Sequence, residues 1–451
     1  MIAGLSLIGA LLTIFGAGFG MCVLLNRGAR ELKIVDVVAV SWLLGTAAVS
    51  LSLWLFGLAL RGPGLQSAVT ALCLLLALSG VLHVRRREMQ LRIALPESWI
   101  ERALLVVLFL EGIAVFYLAF RHTLGWDGLL VWELKARYAY LNGGALPPAY
   151  FVDVPRTYTH PEYPLYIPFT QMWLYFWLGE PSQFWAKLIF PMFYCAGMVV
   201  LARAGEFISG RRWIGMMLAA LLLFVPFLTR APGGITVGYA DVPLSFFYLA
   251  AVYFLVVFAE QNSRIALGCF IAFVSLLPWV KREGAILWVV IAGIGVWVIW
   301  RRRGIKAALI AILPGIGVIA GWRIYLAQMH AQSAADFVPV SAAVIQANLN
   351  RVSPILWSLL EEMARVERWN LLWFIALVAF FSVLLRKRNL TTAILAISTA
   401  APLVLYSSTY LFSAWPNYLQ HIESSLARLL LHVTPVALLS LAPMLRADEQ
   451  N

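Results

Sequence analysis

Charged residues are scarce in this chain. Only 12% of its 451 residues are Asp, Glu, Lys or Arg, whereas 62% are hydrophobic. Soluble chains are about a quarter charged and about half apolar, so this composition excludes a water-soluble fold for most of the chain. Lipid is the solvent that so much apolar surface requires. A membrane-spanning helix needs roughly 20 apolar residues, and such runs follow one another almost from end to end.

Cysteine is also rare, and familiar catalytic motifs are absent. The sequence has no GxSxG, HExxH or P-loop pattern, which excludes the sites that those motifs build. The first apolar run lacks a small-residue cleavage pattern, so we expect a retained helix rather than a signal peptide. The four cysteines lie inside apolar runs, without the spacing of a metal site or a disulfide framework, and are expected to be packing residues: Cys22, Cys73, Cys195 and Cys269.

Basic residues exceed acidic ones by 34 − 22 = 12. They form short clusters between apolar runs, as in the cytoplasmic loops of membrane proteins, so the positive charge does not indicate a nucleic-acid partner. If all clusters are cytoplasmic, the N-terminus lies outside and the C-terminus inside. We therefore expect a multi-pass protein of the plasma (inner) membrane. The clusters are Arg27/Arg30/Lys33, Arg85/Arg86/Arg87, Arg211/Arg212, Arg301/Arg302/Arg303 and Arg386/Lys387/Arg388.

The apolar runs predict an all-α integral membrane protein, a bundle of about thirteen transmembrane helices. With the orientation given above, sizeable external loops are expected at 121–184 and 327–368. The predicted spans cover residues 2–25, 34–60, 66–84, 102–120, 185–204, 213–228, 241–259, 264–280, 284–300, 306–326, 369–385, 390–412 and 425–445.

One apolar segment does not fit this alternation. Residues 164–178 read PLYIPFTQMWLYFWL, and a full span there would place Arg211 and Arg212 outside. We predict a short re-entrant or interfacial helix, because Trp and Tyr are enriched at the headgroup level of a membrane.

The stretch GWDGLLVWELKARYAYLNGG at 125–144 is charged and aromatic directly after an apolar run. Asp127 should lie near the outer interface, where a carboxylate is costly to desolvate and is usually kept for function. Capping of the following helix is the structural alternative. Further along, Trp132, Lys135, Tyr138 and Tyr140 predict an amphipathic helix that lies on the membrane, and simple anchoring is the alternative for these aromatics.

Three other acidic or histidine positions are candidates. His160 and Glu162 lie in HPEYP at 160–164, a stiff turn whose residues suit a metal or a substrate; a structural hydrogen bond is the alternative for His160. Asp241 lies in GYADVP at the outer start of a span, where helix capping is again the alternative. Glu111 lies in the middle of a span and needs a partner or a wet cavity, and we assign it no role.

Three cations lie where the positive-inside bias disfavours them. Lys281 and Arg282 occupy the short external turn of PWVKREGA at 278–285, and Arg428 lies inside the last predicted span. Cations on that face suit a phosphate ligand better than they suit orientation. The alternative for Arg428 is that its long aliphatic stem carries the guanidinium group to the membrane interface.

These motifs, in order, resemble the GT-C membrane glycosyltransferases, the superfamily of the protein O-mannosyltransferases (glycosyltransferase family 39) and the aminoarabinose and galacturonic acid transferases of lipid A. Gly128 follows the loop acid, where many relatives carry a second acid. The resemblance implies a GT-C-like core over 101–446, preceded by a three-span extension over 1–100. The motifs that carry it are WDG at 126–128, HPEYPLYIP at 160–168, GYADVP at 238–243, KREG at 281–284 and SSLARLLLHVTP at 424–435.

The resemblance implies an inverting transfer of a sugar from a polyprenyl-phosphate donor to an acceptor hydroxyl at the external (periplasmic) face, with Asp127 as general base. Lys281, Arg282 and Arg428 would hold the donor phosphate. The acceptor is a lipid, a glycan or a protein; no cofactor is assigned, and a divalent metal stays an open alternative. The implied substrate-binding residues are Trp126, Trp132, Lys135, His160, Glu162, Tyr163 and Asp241.

Two other functions are compatible with a multi-span composition. A transporter or lipid flippase would show inverted repeats and broken helices in matching halves, and its charges would line a path through the midplane. The sequence shows no such repeat, and its candidate charges gather on one face. A non-catalytic scaffold would leave the external cations unexplained.

Overall fold

The computed structural model describes residues 2–26, 28, 31–230, 234–334, 336–385 and 389–445, which are predominantly helical. The helices of the first half are α1 (Ile2–Leu25), α2 (Ile34–Phe56), α3 (Gly62–Arg87), α4 (Trp99–Arg121), α5 (Leu134–Leu141), α6 (Pro148–Val152), α7 (Tyr166–Leu178), α8 (Gln183–Ala186), α9 (Ile189–Ser209), α10 (Arg212–Ala220) and α11 (Pro226–Thr229). A π-helix, Gly128–Glu133, runs directly into α5.

The second half begins with a helix that is largely enclosed by the rest of the bundle. Its helices are α12 (Asp241–Gln261), α13 (Arg264–Val280), α14 (Gly284–Arg303), α15 (Ile305–Gln328), α16 (Ala342–Ala347), α17 (Val352–Ala364), α18 (Val366–Trp369), α19 (Leu372–Leu385), α20 (Leu390–Thr409) and α21 (Tyr418–Leu439). The core surrounds α12, which packs against α9, α13, α20 and α21.

Ten helices in the described residues are long and apolar enough to cross a membrane, which confirms a helical multi-pass membrane protein. They are α1 to α4, α9 with α8, α12, α14, α15, α20 and α21. Three further predicted spans coincide with shorter apolar helices, Arg212–Phe224, Arg264–Val280 and Leu372–Ser382. Because a span needs roughly 20 residues, the count of thirteen stays a prediction.

A small sheet departs from the expected all-α fold. Strands β1 (Glu31–Lys33) and β2 (Gln90–Arg92) pair in parallel, with Leu32 opposite Leu91. They lie in the connections that precede α2 and α4. Two extended connections at the same end of a bundle can satisfy the hydrogen-bonding requirement of their backbone N–H and C=O groups by pairing with each other.

The described residues of the predicted basic clusters mark one end of the bundle, which we call the basic end. Arg85–Arg87 and Arg301–Arg303 occupy the last turns of α3 and α14. Lys33 Nζ lies 3.1 Å from Glu206 Oε1 near the end of α9. This arrangement agrees with the predicted alternation of spans, whereas the side of the membrane that each end faces stays a prediction. Arg27, Arg30 and residues 386–388 lie outside the described residues.

The segment between α4 and α9 differs from its prediction. Residues Tyr166–Tyr175 of α7 are all buried, against α1, α2 and α5, so the interfacial alternative is wrong, whereas a short re-entrant helix stays a prediction. Trp132 and Lys135 are also fully buried. The prediction of an amphipathic helix on the membrane surface is therefore wrong for 128–141, because α7 covers its apolar face and the protein itself surrounds its lysine.

The cysteines and Glu111 lie within the packed helices of the described residues. All four cysteines are free, and three of them are buried, as expected of packing residues. The Tyr194 hydroxyl of α9 donates a hydrogen bond to Oε1 of Glu111 at 2.5 Å. This bond supplies the partner that a carboxyl group in the middle of a span requires.

Candidate active site

Asp241 is the centre of a buried charge network at the end of the bundle opposite the basic end. The carboxylate is fully buried. Its Oδ1 lies 2.8 Å from Lys281 Nζ and 2.8 Å from His432 Nε2, and its Oδ2 lies 3.2 Å from Arg428 Nη2. A buried carboxylate requires such partners, because an isolated charge in a low-dielectric interior is prohibitively costly.

Arg428 links this carboxylate to the loop after α4. Its Nη1 lies 2.7 Å from Oδ2 of Asp127, while its Nη2 contacts Asp241. The guanidinium also lies over the ring of Tyr239, 4.7 Å from the ring centroid. His432 follows Arg428 by one helical turn, so both side chains project from the same face of α21. One guanidinium thus holds two carboxylates that are more than 100 residues apart in sequence.

Two glycines explain how Asp127 reaches this position. The Gly125 N–H donates to the Val237 carbonyl at 2.9 Å. A Cβ atom added to Gly128 would lie only 2.1 Å from the same carbonyl oxygen. No side chain fits there without a backbone shift, so a second acid directly after Asp127 is excluded sterically.

Neither acid caps its helix. The helical segment begins at Trp126, and the Asp127 side chain accepts no capping hydrogen bond. Asp241 is the first residue of α12, and its oxygens bind cations rather than backbone N–H groups. The structural alternative of capping is therefore not observed for either residue. The Asp127 N–H instead donates to the Tyr239 hydroxyl at 3.3 Å.

Lys281 is held by two carboxylates. Residue 281 is extended, with φ −158° and ψ 155°, which ends α13 and turns the ammonium toward Asp241. Its Nζ also lies 3.2 Å from Oε1 of Glu283. Burial alone would raise the pKa of Glu283, but the charges of Lys281, His432 and Arg428 together outweigh burial and lower the pKa. The lysine is only 1% exposed, so this geometry favours a positioning role over direct phosphate contact.

A second cluster surrounds Glu162. Arg282 Nη1 lies 3.1 Å from Oε1 of this carboxylate, and His160 Nδ1 lies 3.4 Å from the same atom. Trp322 Nε1 donates to the Glu162 carbonyl at 3.0 Å. Burial would raise the pKa of Glu162, but the hydrogen bond and charge of His160 and the charge of Lys135 outweigh it and lower the pKa.

Lys135 lies between the two clusters. It is fully buried, and its Nζ donates to the His160 carbonyl at 2.5 Å. The ammonium lies 5.6 Å from the ring centroids of Trp132 and Tyr163. Burial lowers the pKa of Lys135 to about 7, against the opposing charges of Glu162 and Asp127. This lysine therefore changes charge near neutral pH.

The aromatic candidates separate into two groups. Trp126 is 68% exposed and lies outside both clusters, with no aromatic or hydrogen-bond partner in the described residues. Trp132 is buried against Tyr163, with ring centroids 5.7 Å apart. The Tyr163 hydroxyl donates to Glu283 at 3.4 Å. Tyr163 is partly exposed, so it is the aromatic candidate within the clusters that a ligand can reach.

A cavity of about 370 Å³ opens beside the second cluster. Its polar wall includes Glu162, Arg282 and Arg323, and the α15 residues Val318 and Ile319 contribute an apolar wall. Arg323 makes no ion pair in the parts of the chain that the structure describes. Two guanidinium groups against one carboxylate leave this cavity with one excess positive charge.

Sequence reasoning missed several members of these clusters. His432 could have been found, because it follows Arg428 by four residues on one helix face. Glu283 follows Lys281 by two residues, and Arg323 closes a span at the same end of the bundle. The hydroxyl of Tyr406, which lies 3.1 Å from His432 Nδ1, had no signal in its sequence context.

Within the described ranges, no group of three His, Cys, Asp or Glu side chains is arranged to hold a metal ion. Comparison of the chain with protein-family models, with curated proteins and with solved structures finds no match. The functional conclusion therefore rests on the residues and on their geometry.

Proposed function

We propose that this protein is a membrane glycosyltransferase of the GT-C type, which moves a sugar from a polyprenyl-phosphate donor to an acceptor hydroxyl. The observation that carries the proposal is the bridge from Asp127 through Arg428 to Asp241. It joins three of the five motifs that carry the resemblance, WDG, GYADVP and SSLARLLLHVTP, at one end of the spans. Carboxylates held in this way at a membrane end are typical of function rather than of packing.

Asp127 is the general base of the proposed reaction. Its Oδ2 is held by Arg428, while its Oδ1 accepts no hydrogen bond within the described part of the chain. The side chain is 21% exposed, so an acceptor hydroxyl can approach it. The acceptor oxygen attacks the anomeric carbon as its proton passes to Asp127, and the bond from that carbon to the phosphate oxygen breaks. A single displacement inverts the anomeric configuration.

The leaving phosphate needs cations that are accessible. Arg282 and Arg323 line the cavity beside Glu162 and supply its excess positive charge. Guanidinium groups bind phosphate oxygens in a bidentate manner and stabilise the negative charge that develops as the bond breaks. The apolar wall formed by Val318 and Ile319 suits the prenyl chain. In this arrangement Asp241 holds Arg428 in place, and Lys281 in turn holds Asp241; neither contacts the donor.

The proposal is tested by measuring transfer and donor binding with purified protein in vesicles and a panel of prenyl-phosphate sugars. We expect transfer by the wild type, and donor affinity weakened by about 1.5–3 kcal/mol in Arg282→Gln and in Arg323→Gln, the scale of one charge-assisted hydrogen bond. Arg92→Gln, at the basic end, is the control and should bind donor normally.

Movement of the lipid-linked sugar across the vesicle membrane without any transfer would instead assign the protein to the transporters or flippases. Unchanged donor affinity in both arginine variants would remove the cavity from the donor site.

A further inference from the structure

Helix α17 (Val352–Ala364) connects the starts of two later helices. Directly before it, the Arg351 guanidinium lies 4.7 Å from the ring centroid of Tyr418, the first residue of α21. Near its end, Glu362 accepts a hydrogen bond from Trp369 Nε1 at 3.1 Å, shortly before α19 begins. The two ends of α17 are therefore fixed beside α21 and α19.

Both of these points lie at the end of the bundle that carries the proposed active site. α20 begins at the basic end, where the Thr391 hydroxyl donates to Glu260 in the last turn of α12. α19 precedes α20 and therefore begins at the opposite end, as α21 does. Because its two ends lie at one end of the bundle, the 13-residue α17, about 20 Å long, lies along the membrane plane rather than across it.

The outward face of α17 is exposed and apolar. Ile355 and Glu362 face the rest of the protein and are buried, whereas Leu356, Trp357 and Leu360 are 52%, 70% and 56% exposed. Residues three and four positions apart lie on one helix face, so the three outward side chains form a continuous patch. An exposed patch of large apolar side chains marks a contact with a membrane or with another protein.

The polar side of α17 points in another direction. Glu361 is 57% exposed, lies about 100° around the helix from Leu360, and pairs with Arg365 at 3.2 Å. Residues 351–369 contain three arginines and three glutamates, so this segment has no net charge with which to select a headgroup. A helix with a protein side, an apolar side and a polar side fits the boundary between acyl chains and water, where Trp is also enriched.

The apolar patch continues the outward surface of neighbouring spans. α17 packs against α19, α20 and α21, and the last two are candidate spans. Phe374 and Ile375 in the first turn of α19 are 47% and 46% exposed, and Val404 near the end of α20 is 66% exposed. These side chains lie at the same end of the bundle as α17, so acyl chains that cover them also reach its patch.

We propose that α17 is an interfacial membrane helix, and that Leu356, Trp357 and Leu360 contact the acyl chains of the bilayer. The continuity of the patch with the outward faces of α19 and α20 favours lipid over a second copy of the chain. The segment expected to be an external loop at 327–368 thus contains a membrane contact of its own. The inference does not depend on the proposed transferase activity.

This contact also fixes a loop beside the donor cavity. Arg351 donates to the Ser413 carbonyl at 3.2 Å, and Ser413 forms a β-bridge with Phe337. The guanidinium of Arg282, which lines the cavity, lies 5.7 Å from the Phe337 ring centroid. α17 therefore connects the bilayer to one wall of the cavity.

The test is site-directed spin labelling of the full-length protein in phosphatidylcholine nanodiscs. A nitroxide is attached to Leu360→Cys and, as the matched control, to Glu361→Cys, since the two native side chains are 56% and 57% exposed. Leu78→Cys on the candidate span α3 is the lipid-facing reference, at 54% exposure. The unsubstituted protein gives the background from the native cysteines, and Leu356→Cys is a second position on the patch.

We expect the labels at 360 and 78 to collide more with oxygen, which concentrates among acyl chains, than with a water-soluble nickel chelate. The label at 361 should show the opposite order. Nanodiscs of phosphatidylglycerol should give the same result, because the segment has no net charge. Collision of the label at 360 mainly with the nickel chelate would overturn the proposal, because the patch would then face water. A label at 360 that neither reagent reaches would also overturn it, since a second copy would then cover the patch.

Discussion

Arg428 Nη1 lies 2.7 Å from Oδ2 of Asp127, although the two residues are about three hundred positions apart in sequence. The same guanidinium contacts the buried Asp241, so the loop after α4 and the start of α12 are fixed by one side chain. This relationship makes the position of the proposed base depend on α21. It also gives the pair an energetic signature that can be measured without a substrate.

A double-mutant cycle on Arg428→Gln and Asp127→Asn should show coupling in the free energy of unfolding. We expect about 1–3 kcal/mol, the range for residues in direct contact within one network. Arg428→Gln also removes one cationic partner of the buried Asp241 carboxylate. This cost is present both in the single variant Arg428→Gln and in the double variant, so it cancels in the cycle. Thermal unfolding in detergent provides the measurement.

Arg156 and Asp153 form a matched control pair for that cycle. They lie 2.8 Å apart, and both are 33% exposed. A cycle on Arg156→Gln and Asp153→Asn should give no more than about 1 kcal/mol, as for other surface pairs. Equal coupling in the two cycles would show that the Arg428 bridge is an ordinary surface contact.

Lys135 should make stability depend on pH. Its folded pKa is about 7, whereas an unfolded lysine titrates near pH 10.4. Between these values the unfolded chain binds more protons, so the free energy of unfolding rises with pH. From pH 7 to pH 9 the wild type should gain stability relative to Lys135→Met, by up to ~1.4 kcal/mol per pH unit.

The measurement for this prediction is the melting temperature of both proteins across that pH range. Lys306→Met, which removes an exposed lysine, should follow the wild type. Parallel curves for wild type and Lys135→Met would mean that Lys135 keeps an ordinary lysine pKa.

Gly128 should not tolerate even alanine. The added Cβ would lie 2.1 Å from the Val237 carbonyl oxygen, so the two loops must separate. We expect Gly128→Ala to lower stability by about 1–3 kcal/mol, the usual cost of overpacking. Gly64→Ala, where nothing lies within 4 Å of the new Cβ, should be neutral or stabilising. Comparable melting temperatures for the two variants would contradict this close packing.

Most spans could be predicted from the sequence, because each is a run of apolar residues of bilayer length. The predicted span 264–280 coincides with α13, Arg264–Val280. Prediction failed where burial comes from protein rather than lipid. The aromatic residues of α7 resemble an interfacial helix, yet the helix is enclosed by α1, α2 and α5. Periodicity within one segment cannot show which neighbour covers it.

The candidate site shows the same limit. Asp127, Asp241, Lys281 and Arg428 could be selected because charges at the ends of apolar runs are costly. Their pairing could not be predicted, because it depends on how four distant segments pack. The sequence therefore indicated accessible phosphate ligands, whereas the structure shows Lys281 enclosed by Asp241 and Glu283.

The most direct test of the central claim is turnover by Asp127→Asn. Asparagine keeps the size of the side chain and can still accept a hydrogen bond from Arg428, but it cannot take up the acceptor proton. We predict normal expression, retained donor binding and transfer reduced by roughly 10² or more, the usual scale for a general base. Asp153→Asn, in the same connecting segment but outside both clusters, should keep wild-type turnover. Turnover of Asp127→Asn within a few-fold of wild type would contradict the account.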